Sequence, residues 1–177
     1  THGDVLVGAF EHDALAGQAT LLAADGSRYQ GLFRTDRFHG AGGTFTSQHG
    51  VHTGEWQDGK RHGRGVLVYV SGERYDGQWQ DDRRHGPGVL QSADGRVRYE
   101  GEWLADKRHG RGRQQLPQET YAGEFKEDRR AGAGVLTRAD GSVYDGEFAG
   151  NVPQGKGRLT RKDGYVYDGT WHQARRF

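Results

Sequence analysis

The sequence predicts an all-β protein: an elongated, single-layer, twisted antiparallel sheet made of tandem β-hairpins of about 23 residues. Three observations lead there. A Tyr-x-Gly-x-Trp/Phe motif recurs along almost the whole chain, and internal periodicity is the first signal to weigh in any sequence. Glycine fills 31 of 177 positions, far above its usual share of roughly 7%. Apolar residues make up only 32%, too few for a thick globular core, while the 11% aromatic content and net charge of +1 argue against disorder.

The first strand of each unit carries the motif. Its glycine falls at 8, 31, 54, 77, 101, 123, 146 and 169, always 23 residues on except for one step of 24 followed by one of 22. Two residues later stands Phe10, Phe33, Trp56, Trp79, Trp103, Phe125, Phe148 or Trp171, and two residues earlier Leu6, Tyr29, His52, Tyr75, Tyr99, Tyr121, Tyr144 or Tyr167. Positions i, i+2 and i+4 share one face of a strand, so Tyr75, Gly77 and Trp79 lie together while Asp76 and Gln78 face away. In a helix these positions would scatter, and each Gly would cost about 1 kcal/mol against Ala.

A loop comes next, then the second strand. Second glycines recur at 17, 40, 63, 86, 110, 132 and 155, and third ones at 42, 65, 88, 112, 134 and 157, with Ala19 in that place in the first copy. Pairs such as Gly134 and Leu136 again share a parity, and turns such as Ala139-Asp140-Gly141 close the unit. Glycine inside strands is tolerated where a ring from a neighbouring strand lies across it, because no Cβ obstructs the ring. One hairpin is marginal alone, so neighbouring copies must bury one another's rings. Copies begin near residues 6, 29, 52, 75, 99, 121 and 144, and a half copy spans 167–171. The absence of Met and the degenerate first copy suggest one array, residues 1–177, cut from a longer one.

A 23-residue unit of this form resembles the MORN repeat (membrane occupation and recognition nexus). The best copies run from Tyr75-Asp76-Gly77-Gln78-Trp79 to Gly95 and from Tyr144-Asp145-Gly146-Glu147-Phe148 to Gly164, and the resemblance covers residues 6–171. It implies a single-layer extended β-structure without catalysis. Family members act as cytoskeletal or ciliary scaffolds, membrane-junction tethers and appendages of phosphoinositide enzymes. An array with no other domain is most similar to the scaffold class, including protozoan cytoskeletal members that dimerise end to end. Tyrosine-aspartate toxin-shell repeats are a poorer match, since there Gly-Arg-Leu follows Tyr-Asp almost at once.

Catalytic, cofactor-binding and metal sites are not expected. The chain has no Cys, no Walker loop and no nucleophile elbow, and His39, His62, His85 and His109 lie a repeat apart instead of converging. Without disulfides the expected setting is intracellular, and the resemblance implies a cytoplasmic, cytoskeleton-associated one. With 25 basic against 24 acidic residues, nucleic acid is not an expected partner.

Three surfaces are candidates for binding. The loop between the strands carries Lys60-Arg61, Arg83-Arg84, Lys107-Arg108 and Arg129-Arg130, a rim suited to anionic phospholipid such as phosphoinositides or to an acidic partner. Each pair sits beside its own Asp or Glu, so the competing use is a solvated, internally paired rim. Tyr75, Trp79, Tyr99, Trp103, Tyr121 and Phe125 form the second surface, an aromatic groove open to a cytoskeletal or other protein segment. The third is the C-terminal end, where the last full copy replaces its basic pair with Val152-Pro153 and an unpartnered aromatic strand follows; such edges pair or aggregate. Tyr144, Phe148, Val152, Pro153, Tyr165, Tyr167 and Trp171 are the expected interface of an isologous homodimer.

Overall fold

The computed structural model describes residues 3–176. Its strands fall into two units that divide between Ala93 and Asp94. The first unit contains β1 (Val5–Glu11), β2 (Ala14–Leu22), β3 (Arg28–Arg34), β4 (Arg37–Ser47), β5 (Gly50–Gln57), β6 (Lys60–Tyr69), β7 (Arg74–Gln80) and β8 (Arg83–Gln91). The second contains β9 (Arg98–Leu104), β10 (Lys107–Leu116), β11 (Glu119–Lys126), β12 (Arg129–Arg138), β13 (Val143–Ala149), β14 (Val152–Thr160), β15 (Val166–His172) and β16 (Arg175–Arg176). Within each unit every strand pairs antiparallel with its neighbour in the chain, giving an open single layer of consecutive hairpins. The described residues contain no helix.

The loop between the two strands of a repeat is shorter than the sequence suggests. It is a two-residue turn in which both residues have positive φ, as at Asp81 (48°) and Asp82 (68°) or Glu127 (49°) and Asp128 (68°). That is the type I′ geometry, whose twist matches that of the flanking strands. The basic pairs therefore open the second strands, and adjacent residues of a strand face opposite ways. The other turn is longer: Arg138 N–H bonds to Ser142 O at 2.9 Å, Gly141 N–H bonds to Arg138 O, and Gly141 holds φ +83°.

The second glycine of each copy makes a bulge. Gly63 has φ +56°, and the register slips between Gly54, opposite Gly65, and Glu55, opposite His62. In the second copy the ring platform is Gly43, not Gly42, because the bulge there takes one extra residue and the following turn gives one back. The 23-residue spacing survives both changes. In the fifth copy Leu116 pairs directly with Glu119, so Pro117-Gln118 forms a two-residue turn and accounts for the short step. At the far end β15 does not stand alone: β16 pairs with Trp171 and His172.

The core is one face of the sheet. Tyr29, Tyr75, Tyr121 and Tyr144 are buried, each with the aromatic that follows it, and Leu67, Leu136 and Leu159 fill the row beside them. The degenerate first copies build the same layer from Leu15, Ala19, Phe33 and Trp56, packed by Leu21, Phe38 and Phe45. β1 is exposed along all seven of its residues.

Candidate functional site

The rings of Tyr29, Tyr75, Tyr99, Tyr121 and Tyr144 each lie across two glycines. A Cβ on Gly123 would meet the Tyr121 hydroxyl at 2.5 Å, and one on Gly134 would meet the same ring at 2.6 Å. The hydroxyl then reaches past the glycine to a backbone carbonyl three residues on, as Tyr121 to Glu124 O and Tyr144 to Glu147 O, both at 3.0 Å. Burial pushes the Tyr29 and Tyr121 phenols up to about 12 and raises Tyr144, so all three stay neutral donors. Tyr29, Tyr99, Tyr121 and Tyr144 each also meet two aromatics edge-on: Tyr121 stands 5.2 Å from Phe125 of its own copy and 5.0 Å from Phe148 of the next. Such contacts contribute about 0.5–1.5 kcal/mol each beyond area burial.

A third column covers the rings. Leu15, Phe38, Arg61, Arg84, Arg108, Arg130 and Pro153 occupy it in successive copies. Phe38 stacks on Tyr29 with centroids 3.8 Å apart. The Arg61 guanidinium lies 4.3 Å from the Trp79 centroid, that of Arg130 4.9 Å from Tyr121, and that of Arg108 5.4 Å from Phe125. The expectation of an open aromatic groove is thereby corrected. Tyr75, Trp79, Tyr99, Trp103, Tyr121 and Phe125 are all at most 4% exposed, because the rings tile one another and the covering column closes over them.

The basic rim is corrected for the same reason. Arg61, Arg84, Arg108 and Arg130 turn onto the ring face; Arg61 pairs with Asp82 at 3.0 Å, Arg108 with Asp128 at 3.1 Å, and the buried Arg130 with Glu119. Only the first member of each pair faces outward. Lys60 and Arg83 do so in the first unit and Lys107 and Arg129 in the second, with Lys60 3.8 Å from Asp81.

Of the residues expected at a C-terminal interface, Tyr144, Phe148, Pro153 and Trp171 are buried within the chain's own sheet. Tyr167 is half-buried, and Val152 and Tyr165 are exposed at 38% and 41%. Val166, which sequence reasoning passed over, joins them at 45%.

Two further recurring groups escaped the sequence reading. Glu55 accepts Arg64 N–H at 3.0 Å, and Glu147 accepts Lys156 N–H at 3.3 Å, so the acid after the motif glycine plugs the bulge. The second turn residue links neighbouring copies. Asp82 N–H donates to Arg61 O at 3.1 Å while its carboxylate accepts Arg61 N–H at 3.0 Å; Asp128 does the same to Arg108, and Asn151 to Arg130. The recurrence of Glu/Gln and of Asp at fixed offsets was the available signal. Among the described residues no three His, Asp or Glu side chains gather as a metal site.

Comparison with known proteins follows the same periodicity. The family described as MORN repeat matches residues 52–74, 75–95, 99–119, 121–143 and 144–164. No curated protein matches the chain. A solved structure of the Drosophila melanogaster SAS-4 (dCPAP) TCP domain, in complex with a proline-rich motif of Ana2 (dSTIL), is similar at a TM-score of 0.50 and 11% identity, over 88% of this chain and 84% of that one. That likeness is one of fold.

Proposed function

The chain belongs to the MORN repeat family, and from that premise we propose that it serves, without catalysis, as a protein-interaction scaffold that self-associates near its C-terminal end within an intracellular cytoskeletal or membrane-associated assembly. The observation that carries the reading is how the side chains are spent. Rings, glycines and covering arginines are consumed by contacts between copies, leaving a stable platform whose exposed apolar groups gather at particular places. One of these is the adjacent pair Tyr165 and Val166, where the chain enters β15. The proline-rich motif on the SAS-4 domain makes an extended peptide a reasonable first class of partner to try.

Light scattering tests self-association. A dimer has twice the 19.6 kDa chain mass, and a monomer at micromolar concentration sinks the proposal. Tyr165→Asp combined with Val166→Asp should give a folded monomer. A dimer that survives this change but dissociates in Val7→Asp would place the interface on the exposed β1 instead. Trp171 is a poor probe, since at 6% exposure a charge there would disrupt the sheet itself.

The outward Lys60 and Arg83 of the first unit, and Lys107 and Arg129 of the second, support a second reading, recruitment to anionic phospholipid. Salt-sensitive co-sedimentation with phosphoinositide vesicles, lost when these four become Gln, would favour it; no sedimentation would end it.

A further inference from the structure

We propose that the outer face of β9 to β14, opposite the rings, is a self-complementary surface on which a second copy of this chain stacks with its strand order reversed. This rests on the self-association proposed above and names the face that carries it. Motif glycines stand opposite one another across the strands, Gly112 with Gly123, Gly123 with Gly134 and Gly134 with Gly146, so the outward residues beside them also align into rows. One row reads Glu100, Arg113, Ala122, Val135, Asp145 and Arg158, all exposed. Its charge order is minus, plus, neutral, neutral, minus, plus. Read backwards, that order is its own complement.

A two-fold axis running along the strands between β11 and β12 sets Glu100 against the second copy's Arg158, Arg113 against its Asp145, and Ala122 against its Val135. On the other side of the glycines the order repeats: Glu102 meets Lys156, Arg111 meets Glu147, and Glu124 meets Ala133. The third row is uncharged apart from Arg98 and sets Thr120 against Thr137. It runs on through Val143 and Thr160 to Val166, so the face reaches the exposed pair at the start of β15. An axis across the strands would oppose each residue to itself, like charge to like, so the charge order selects the reversed stacking. The like-charged contact that remains, Lys126 with Arg129, lies at the hairpin tip beside Glu127 and Asp128. Within the chain Arg98 pairs with Glu100 at 2.8 Å, but among the described residues Arg111, Arg113, Lys156 and Arg158 have no ion-pair partner. The first row is the freer of the two charged ones, since Glu147 already accepts a bulge N–H. At the centre the face sinks into a hollow of about 520 Å³ floored by Gly112, Gly123 and Gly134, where Val135 is 37% exposed. Two such hollows together take both Val135 side chains, and the long charged arms on either flank span the roughly 10 Å between stacked sheets.

Light scattering with charge reversal decides the matter. Arg113→Glu with Arg158→Glu makes every charge of the first row acidic, and Glu100→Arg with Asp145→Arg makes every one basic. All four positions are exposed, so both variants keep the fold. Each alone should be a monomer, an equimolar mixture should restore twice the 19.6 kDa chain mass, and added salt should dissociate that dimer. The milder Arg113→Gln with Arg158→Gln should weaken the unmodified dimer about tenfold or more. Reversed variants that stay dimeric alone, or that stay monomeric when mixed, would overturn the face. A dimer that ignores both reversals but is broken by Tyr165→Asp with Val166→Asp rejects the face and keeps self-association. An unmodified chain that is monomeric at micromolar concentration rejects both.

Discussion

His52 shows what one residue of the ring column contributes. It is 2% exposed, sits edge-on between Trp56 and Trp79 at 5.2 and 5.1 Å, and has no hydrogen-bond partner on either ring nitrogen. Burial first, and then the nearby Arg61, lower its pKa from 6.5 to about 4. The folded state therefore holds it neutral, while the unfolded chain takes up a proton below its ordinary pKa. Stability from this site is complete above pH 6.5 and falls as the pH drops toward 4, by about 3 kcal/mol over that window. His52→Tyr should raise the melting temperature and flatten that part of the acid limb, since a hydroxyl there can reach Glu55 O as Tyr121 reaches Glu124 O. Chemical denaturation of both forms between pH 7 and pH 4 checks it; parallel pH profiles would refute the assignment.

The hairpin turn is the element that joins one copy to the next. Where its second residue is Asp or Asn, the side chain accepts the N–H of the covering residue one copy back, as at Asp36 to Leu15 (2.7 Å) and Asp128 to Arg108 (3.0 Å). Ala174 occupies that place opposite Pro153, which has no N–H to give, and only the Ala174 N–H to Pro153 O bond remains, at 3.0 Å. Asp128→Ala should cost about 1–2 kcal/mol in urea unfolding, because it removes this acceptor and the partner of Arg108 together. Ala174→Asp should bring no gain, having no donor to meet. A matching gain would mean that the acid acts through general charge and not through the turn.

Across the molecule, stability follows from pairing between chain neighbours. Within each unit every described strand pair is sequence-adjacent, so folding needs no long-range closure and opening can begin at any poorly covered strand. β1 is that strand in the first unit, with Val5, Leu6, Val7 and Phe10 at 45–67% exposure. Native-state hydrogen exchange should find its amides the least protected of that unit, and those of β5 to β7, which flank His52 and Tyr75, the most. Uniform protection along the unit would contradict a nearest-neighbour account.

The period, the strands and the ring-over-glycine packing were legible in the chain alone, because a Tyr-x-Gly-x-Trp repeat is at once a parity rule and a statement of which side chains have room. Its columns placed Tyr121, Gly123 and Phe125 on one face before any coordinates were considered. Which face each basic residue takes was decided only by the tertiary structure. A two-residue turn starts the second strand earlier than the sequence suggests, so Arg61 and Arg130 belong to the core while Lys60 and Arg129 stay outside.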